Sequence, residues 1–480
     1  MQDKVKMKRT LGFWATYGAI FGCMISGTAM VSLGNAAGSA GSGIWLPALI
    51  AMCILLCIGC AYGELVSMIP GGGMINDYTA PALGKFFALF AVLSGYVLMI
   101  AVDGGTQIII AGTSIEELTG IPQMLATLCI LGIAVLIHMT GIQIYGKAEG
   151  ITSAIMIVIF LGVGLVGFSG MGISEQVNVI RPLQPENGWV SSLALVGPIF
   201  WWYVGFEFIC PTAEENKRPH RNIAWSLLLG VVTITVFDLI FSYAAIRYVS
   251  LDELTSSSIP HVLVANAVLG GFGKLCMTII TIFAAFTSVM AELATLPRLL
   301  YGLAHKDLAP KIFTYLHPKF KTPWAGIIFT TALMSLSLIY MQFNGTDADI
   351  IMLLVQIASA TWMLSYIIAL IDVLVYRKRY PNYPRLTKYP FMPVIMVLGL
   401  CGLLYALWTL RDVWGISLLA VGVMAVYCFA WLKYKKLPLF QPESLEDCVK
   451  GLMERAEPYP EWDEAVTKWL EEVRYQYGNS

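Results

Sequence analysis

Apolar residues in this chain come in long unbroken runs joined by short polar segments, not in the one-sided stripes of a helix resting on a soluble core. Twelve runs approach or exceed the ~20 residues that a helix needs to cross a bilayer. They lie near positions 12–36, 44–69, 86–112, 122–140, 150–170, 190–212, 223–246, 274–301, 324–343, 349–374, 392–410 and 413–433. The pattern predicts an all-α integral membrane protein of twelve transmembrane helices over residues 1–433. After Lys436 the composition turns charged, and residues 434–480 form a tail containing Tyr459, Trp462, Trp469, Tyr475 and Tyr477. In that tail Ser444 and Asp447 are spaced as a helix cap, and Glu461–Tyr475 predicts an amphipathic helix.

Two runs depart from simple apolarity. Phe200–Ile223 reads FWWYVGFEFICPTAEENKRPHRNI, with Gly205, Glu207 and Pro211 where a lipid-facing helix would keep apolar residues. The first run carries Gly22, Ser26 and Gly27 at its middle. A helix in lipid must satisfy its own backbone, so an interruption is tolerated only where it lines a protein cavity. Counted from the first and sixth spans, the two interruptions occupy corresponding places in two five-helix halves, a pointer to an inverted-repeat transporter with a midplane site.

Charge sets the expected orientation. With both termini cytoplasmic, all but four of the 30 lysines and arginines lie inside, the exceptions being Arg181, Arg247, Lys274 and Arg411; the positive-inside rule requires such a bias. Lys4, Lys6, Lys8 and Arg9 precede a full-length span without a cleavage site, so no cleaved signal peptide is expected. The net charge of −1 gives no reason to expect nucleic acid. The ten cysteines form no metal or disulfide pattern, and the Cys57–Cys60 pair on a membrane helix reads as packing. Five scattered histidines (138, 220, 261, 305, 317) offer no clustered base or metal set, so an enzyme is not expected. His138 itself reads as an interface residue.

The stretch Ala61-Tyr62-Gly63-Glu64-Leu65-Val66-Ser67-Met68-Ile69-Pro70-Gly71-Gly72-Gly73 resembles the second-helix signature of the amino acid–polyamine–organocation permeases. The GFE…EENKRPHRNI run is similar to their sixth helix and following loop. LPRLLYGLAHKDLAPKIFTYLHPKFKTP is similar to their eighth helix and loop, and Asp372…YRKRYP to the end of their tenth. The resemblance implies a LeuT-type five-plus-five inverted repeat with two additional C-terminal helices and alternating access. It implies a small-molecule substrate, an amino acid or organic amine, and a multi-pass place in the cell membrane. A transporter-like solute receptor and an uncoupled exchanger are the alternatives. The turn near Glu116–Pro122 has no cysteine, so no disulfide-linked heavy subunit is expected, while homo-oligomerisation stays open.

The resemblance also suggests site residues. In such permeases a Gly-Ser-Gly-like stretch unwinds so that backbone N–H groups and a half-helix dipole meet a substrate carboxylate. Here the stretch is Ile25-Ser26-Gly27, with a bulky residue for the first glycine, which weakens the carboxylate clamp. Trp201 aligns with an aromatic gate; Trp202 and Tyr203 adjoin it before Gly205, and aromatic faces attract organic cations. Glu207 either ties the broken segment to its neighbours or carries a proton. Asp103 lies about a dozen residues from either end of its span, beside Gly104 and Gly105, which would make room for a ligand. An ionisable side chain at that depth is a functional candidate: a partner for a substrate amine, an ion ligand, or a structural acid. Asp238 and Glu292 are further intramembrane acids that could carry protons, and Glu64 reads as part of an inner gate.

No cofactor is expected beyond a coupling ion, for which Na⁺ and H⁺ both stay open. Several relatives place a lysine on the fifth helix; the matching position here is Met156. Thr287 and Ser288, with carbonyls freed near Gly22 and Ile25, could supply the oxygen ligands a hard cation needs, although such hydroxyls also bond their own helix.

Overall fold

The computed structural model describes residues 8–141 and 145–477, apart from the side chains of 145–151, 455, 476 and 477. Lys4, Lys6 and the side chain of Tyr477 lie outside the described residues. Among them the regular structure is helical. α1 (Phe13–Met24) and α2 (Gly27–Ala40) are the two halves of the first apolar run, bent by 65°. α3 (Trp45–Met68) follows, then the short buried α4 (Met74–Leu83). The third run enters as α5 (Lys85–Ala91), widens into a π-turn at Val92–Val97 and continues as α6 (Leu98–Thr119). α7 (Gln123–Thr140) and α8 (Tyr145–Phe168) follow.

The sixth run is fragmented. α9 (Gly188–Leu193) and α10 (Val196–Phe200) lead into a 3₁₀ turn at Trp201–Tyr203, and a second 3₁₀ stretch covers Phe206–Glu214. Between the 3₁₀ segments Val204 is extended, and Gly205 sits at φ 86°, a left-handed conformation that costs any side chain. α11 (Pro219–Tyr248), the capped α12 (Leu251–Ser256) and α13 (Pro260–His305) follow. The last six helices are α14 (Trp324–Asn344), α15 (Ala348–Arg379), α16 (Met392–Thr409), α17 (Trp414–Tyr434), α18 (Leu445–Arg455) and α19 (Pro460–Tyr477).

Among the described residues, ten helical segments are long and apolar enough to span a membrane, and the α1–α2 pair meets the same standard as one bent span. In α8 the described apolar stretch is Thr152–Phe168. The eighth run, expected at 274–301, lies within the second of two helices that meet at Gly270 (φ 64°, ψ −152°) inside Pro260–His305. The loop after it has only a 3₁₀ turn at Lys311–Thr314. Pro310, Pro318 and Pro323 leave too little uninterrupted chain there for more.

The tail is docked rather than free. Ser444 accepts from the N–H of Asp447 at the start of α18. Trp462 of α19 is buried and its indole donates to Met68 O at 2.9 Å, where α3 ends. Trp469 meets the Tyr383 ring edge-on at 4.8 Å. Glu457 accepts from Arg9 N at 3.1 Å, and the Arg9 guanidinium reaches Ala213 O and Asn216 O, after the broken sixth run. The tail thus bridges the N-terminal segment, the end of α3 and the loop after α15. Trp462→Ala should lower stability by about 3–5 kcal/mol, as for other buried aromatic truncations; thermal unfolding of the purified protein checks this.

Candidate functional site

The breaks in the first and sixth runs face each other: a Cβ built on Gly205 would lie 3.5 Å from both Cβ and O of Cys23. At the first break Ile25 and Ser26 leave the helical conformation, and Ser26 Oγ caps α2 by accepting from Ala29 N at 3.1 Å. The Ser26 N–H turns to Met24 O (3.0 Å) and leaves Gly22 O without its intrahelical donor. Beside the paired breaks is a polar cavity lined by Cys23, Ser26, Asp103, Gln107, Gly205, Ser288, Glu292 and Trp362, with Met99, Val204, Phe208 and Ala291 completing its wall.

The cavity's polar groups are incompletely bonded. Gln107 Nε2 donates to Asp103 Oδ2 at 2.6 Å and to Glu292 Oε1 at 3.2 Å, so one amide nitrogen joins acids from α6 and α13. Asp103 Oδ1, Gln107 Oε1, Glu292 Oε2 and Ser288 Oγ are buried without hydrogen-bond partners. Thr28 adjoins the Asp103 carboxylate, but no geometrically complete hydrogen bond reaches Oδ1. Buried polar atoms are normally satisfied, so four unsatisfied oxygens around one cavity make it the candidate site for a polar guest. Among the described residues, no Lys, Arg or His lines the cavity.

An aromatic frame supports the break. Trp362 Nε1 (2.9 Å) and Tyr96 OH (3.3 Å) donate to Glu207 Oε1, and Tyr366 OH donates to Oε2 at 2.8 Å. Glu207 thereby ties the irregular sixth segment to α15 and to the π-turn before α6. Trp201 donates to Thr28 Oγ1 at 3.0 Å and meets Trp362 edge-on at 6.4 Å, linking the two broken runs.

Of the residues singled out by sequence, Ser26, Asp103, Gly205, Ser288 and Glu292 share this cavity. Ile25, Trp202 and Asp238 line a second, apolar one with Met24, Ala29, Met30, Leu33, Phe160 and Ile234. Tyr203 lies beyond both, its hydroxyl 2.8 Å from Thr235 Oγ1. Gly104 gives close approach to neighbouring helices: a Cβ there would come 2.8 Å from Met334 Cγ and 2.9 Å from Glu292 Oε2. Gly27 lies against Gln107 O in the same way (3.4 Å to an added Cβ). Thr287 bonds back to Phe283 O at 2.8 Å and Ala284 O at 3.2 Å. Gln107 and Trp362 were missed. The first stands one helical turn after Asp103, on the same face, and that spacing was a readable signal.

Glu64 is fully buried near the end of α3. Arg377 grips it with Nε (2.9 Å to Oε1) and Nη2 (2.6 Å to Oε2), and Arg385 Nε adds a bond of 3.1 Å to Oε1.

Membrane-length helices, two of the runs broken and facing each other across a buried polar cavity, define a membrane transporter for small solutes. The chain belongs to the amino acid permease family, whose model matches residues 11–427. It is 26% identical over 461 residues to the methylthioribose transporter of Bacillus subtilis, covering 89% of this chain and 95% of that one. It is 26% identical over 357 residues to the uncharacterized amino acid permease YecA of the same organism (73% of this chain, 80% of that one). The branched-chain amino acid permease BcaP of B. subtilis is 22% identical over 457 residues, 90% and 95% of the two chains. The protein is therefore a multi-pass membrane permease of amino acid transport, not an enzyme.

Proposed function

We propose that this permease is a secondary transporter that carries an amino acid or small organic amine across the cell membrane by alternating access, with the solute's cationic ammonium group held at Asp103. The carrying observation is the unpartnered Asp103 Oδ1 in a cavity between two broken helices that offers no basic side chain. An ammonium has three N–H donors and no acceptor, which matches a wall of unsatisfied oxygens. Trp362 supplies an aromatic wall, a surface that suits an organic cation. The relatives named for amino acids support the amino acid class, and the one named for methylthioribose supports a family that tolerates other solutes.

In this reading α8 crosses the bilayer with the other spans, giving twelve in a LeuT-type five-plus-five repeat followed by α16 and α17. Both termini face the cytoplasm, in keeping with the lysine and arginine bias.

Thermal unfolding of the purified full-length protein tests the substrate class, using n-butylamine, 1,4-diaminobutane, lysine, leucine and methylthioribose, each with and without Na⁺. A ligand specific for the folded state stabilises by about 2.7 kcal/mol at 100 times its Kd. Shifts with the two simple amines are expected. A shift confined to leucine would restore the carboxylate clamp at Ser26 and Gly27, and a response only to methylthioribose would overturn the amine reading. Dependence on Na⁺ would assign Ser288 and the freed Gly22 carbonyl to an ion.

A further inference from the structure

The cavity holds two acids where the proposed solute needs one. Asp103 Oδ2 and Glu292 Oε1 lie on either side of a single amide nitrogen, hence within about 6 Å of one another, the range in which a like charge disfavours ionisation. Both residues are buried, at 1% and 3% exposure, and among the described residues the wall contains no basic side chain to compensate them. Two uncompensated negative charges in such a place are untenable; one, with the Gln107 amide as donor, is not. Gln107 also constrains the pair geometrically, because the two hydrogens on its nitrogen serve one carboxyl each.

The surroundings leave these two acids to set the local charge. α1, α2 and α14 contain no Asp, Glu, His, Lys or Arg, and neither does the described part of α8 from Thr152 onward. Cys23 of α1 is the one thiol on the cavity wall. α7 contributes His138, bonded to Ala134 O, with Arg298 of α13 beside it. Asp238 of α11 lines the other cavity. Asp372 of α15 accepts from Thr79 at 2.6 Å, and Glu207 is occupied by Trp362, Tyr96 and Tyr366. At one end of the helices Glu117 of α6 pairs with Lys274 of α13 at 2.9 Å.

We propose that Asp103, Gln107 and Glu292 form a single-charge site that holds one proton when empty and releases it when the solute's ammonium binds. This rests on the preceding reading, in which the solute presents an ammonium to Asp103. The exchange balances. The empty pair carries one negative charge and one proton. On binding, the carboxyl O–H bond breaks, its electron pair stays on oxygen, and the proton leaves to water on the side to which the cavity is open. Two carboxylates and one ammonium then again sum to a single negative charge. When the solute departs on the other side, a proton from that side replaces it. The transporter becomes a one-for-one exchanger of cationic amine against proton, and the site crosses the membrane at constant charge.

The test is the Kd of n-butylamine and of 1,4-diaminobutane for the purified full-length protein, measured calorimetrically at pH 6, 7 and 8. Both amines stay protonated over this range. Release of one proton per ligand makes binding about tenfold tighter for each unit rise in pH, by linkage. It also makes the observed heat depend on the ionisation enthalpy of the buffer. Glu292→Gln should bind the amine with a Kd independent of pH, since the remaining carboxylate has no proton to release. Wild-type binding that does not change with pH would overturn the exchange while sparing the amine reading. Absence of binding by either amine would overturn both. The wild-type measurement decides even where the variant does not fold.

Discussion

Asp103→Asn should weaken binding of an ammonium-bearing solute by about 2–5 kcal/mol, the usual result of removing one partner of a buried charged pair. That is a loss of roughly 30-fold or more in affinity. The amide keeps an oxygen for Gln107 Nε2 and fits the same volume, so folding should persist and the change should appear in binding rather than in the melting temperature of the empty protein. The contrast is informative because, among the described residues, Asp103 makes no ion pair: its resolved hydrogen bond is to a neutral amide on its own helix. If its role were structural, the neutral isostere would leave affinity unchanged, or would destabilise the empty protein while sparing the ligand-induced shift. Calorimetric titration of the variant with n-butylamine separates these results.

Glu64→Ala should act on the opposite ledger, costing about 3–5 kcal/mol of folding stability, the range found when a buried pair loses one member. Its carboxylate is wholly buried, and its loss would leave Arg377 and Arg385 facing each other without a counter-charge. Arg385 cannot turn to water, because its remaining donors are held by the carbonyls of Tyr376, Tyr380, Pro381 and Tyr383. This cluster clamps α3 to the end of α15 and the loop after it, and Tyr383 OH donates to Met68 O at 2.8 Å in the same region. Denaturation of the purified variant measures the cost. A loss below about 1 kcal/mol, the value of an exposed pair, would contradict the clamp.

The helices were legible because lipid imposes a length and a composition on each of them, and the two breaks because Gly205, Pro211 and Ser26-Gly27 interrupt otherwise apolar runs. The direction in which side chains leave a broken helix was not legible. Trp201, Trp202 and Tyr203 adopt a 3₁₀ turn, in which each residue advances about 120° around the axis rather than 100°. Trp201 therefore points to Thr28 and Trp362, whereas Trp202 and Ile25 end in the apolar cavity with Asp238. That outcome also bears on the substitution at Ile25: its bulk is directed away from the polar cavity, so the position does not close that cavity. Asp103 and Glu292 were each conspicuous as acids in apolar helices. Their pairing depended on Gly104, whose missing side chain lets the Glu292 carboxylate approach α6, and a contact between residues so far apart in the chain leaves no local signal.

The tail was readable as amphipathic from its spacing, yet its docking rests on partners distant in the chain: Met68 O for Trp462, the Tyr383 ring for Trp469 and Arg9 for Glu457. Sequence offers the apolar face of such a helix without its partner. The buried Trp462 and the ring contact of Trp469 supply that partner here.

The central claim, that the cavity between the broken helices carries a cationic solute by way of Asp103, is tested most directly by transport. Purified wild-type and Asp103→Asn proteins are reconstituted into liposomes loaded with unlabelled 1,4-diaminobutane, and entry of the labelled compound is followed. Wild-type liposomes should take up label well above protein-free liposomes, and the variant should fall to the protein-free level. Equal uptake by wild type and variant would contradict the account.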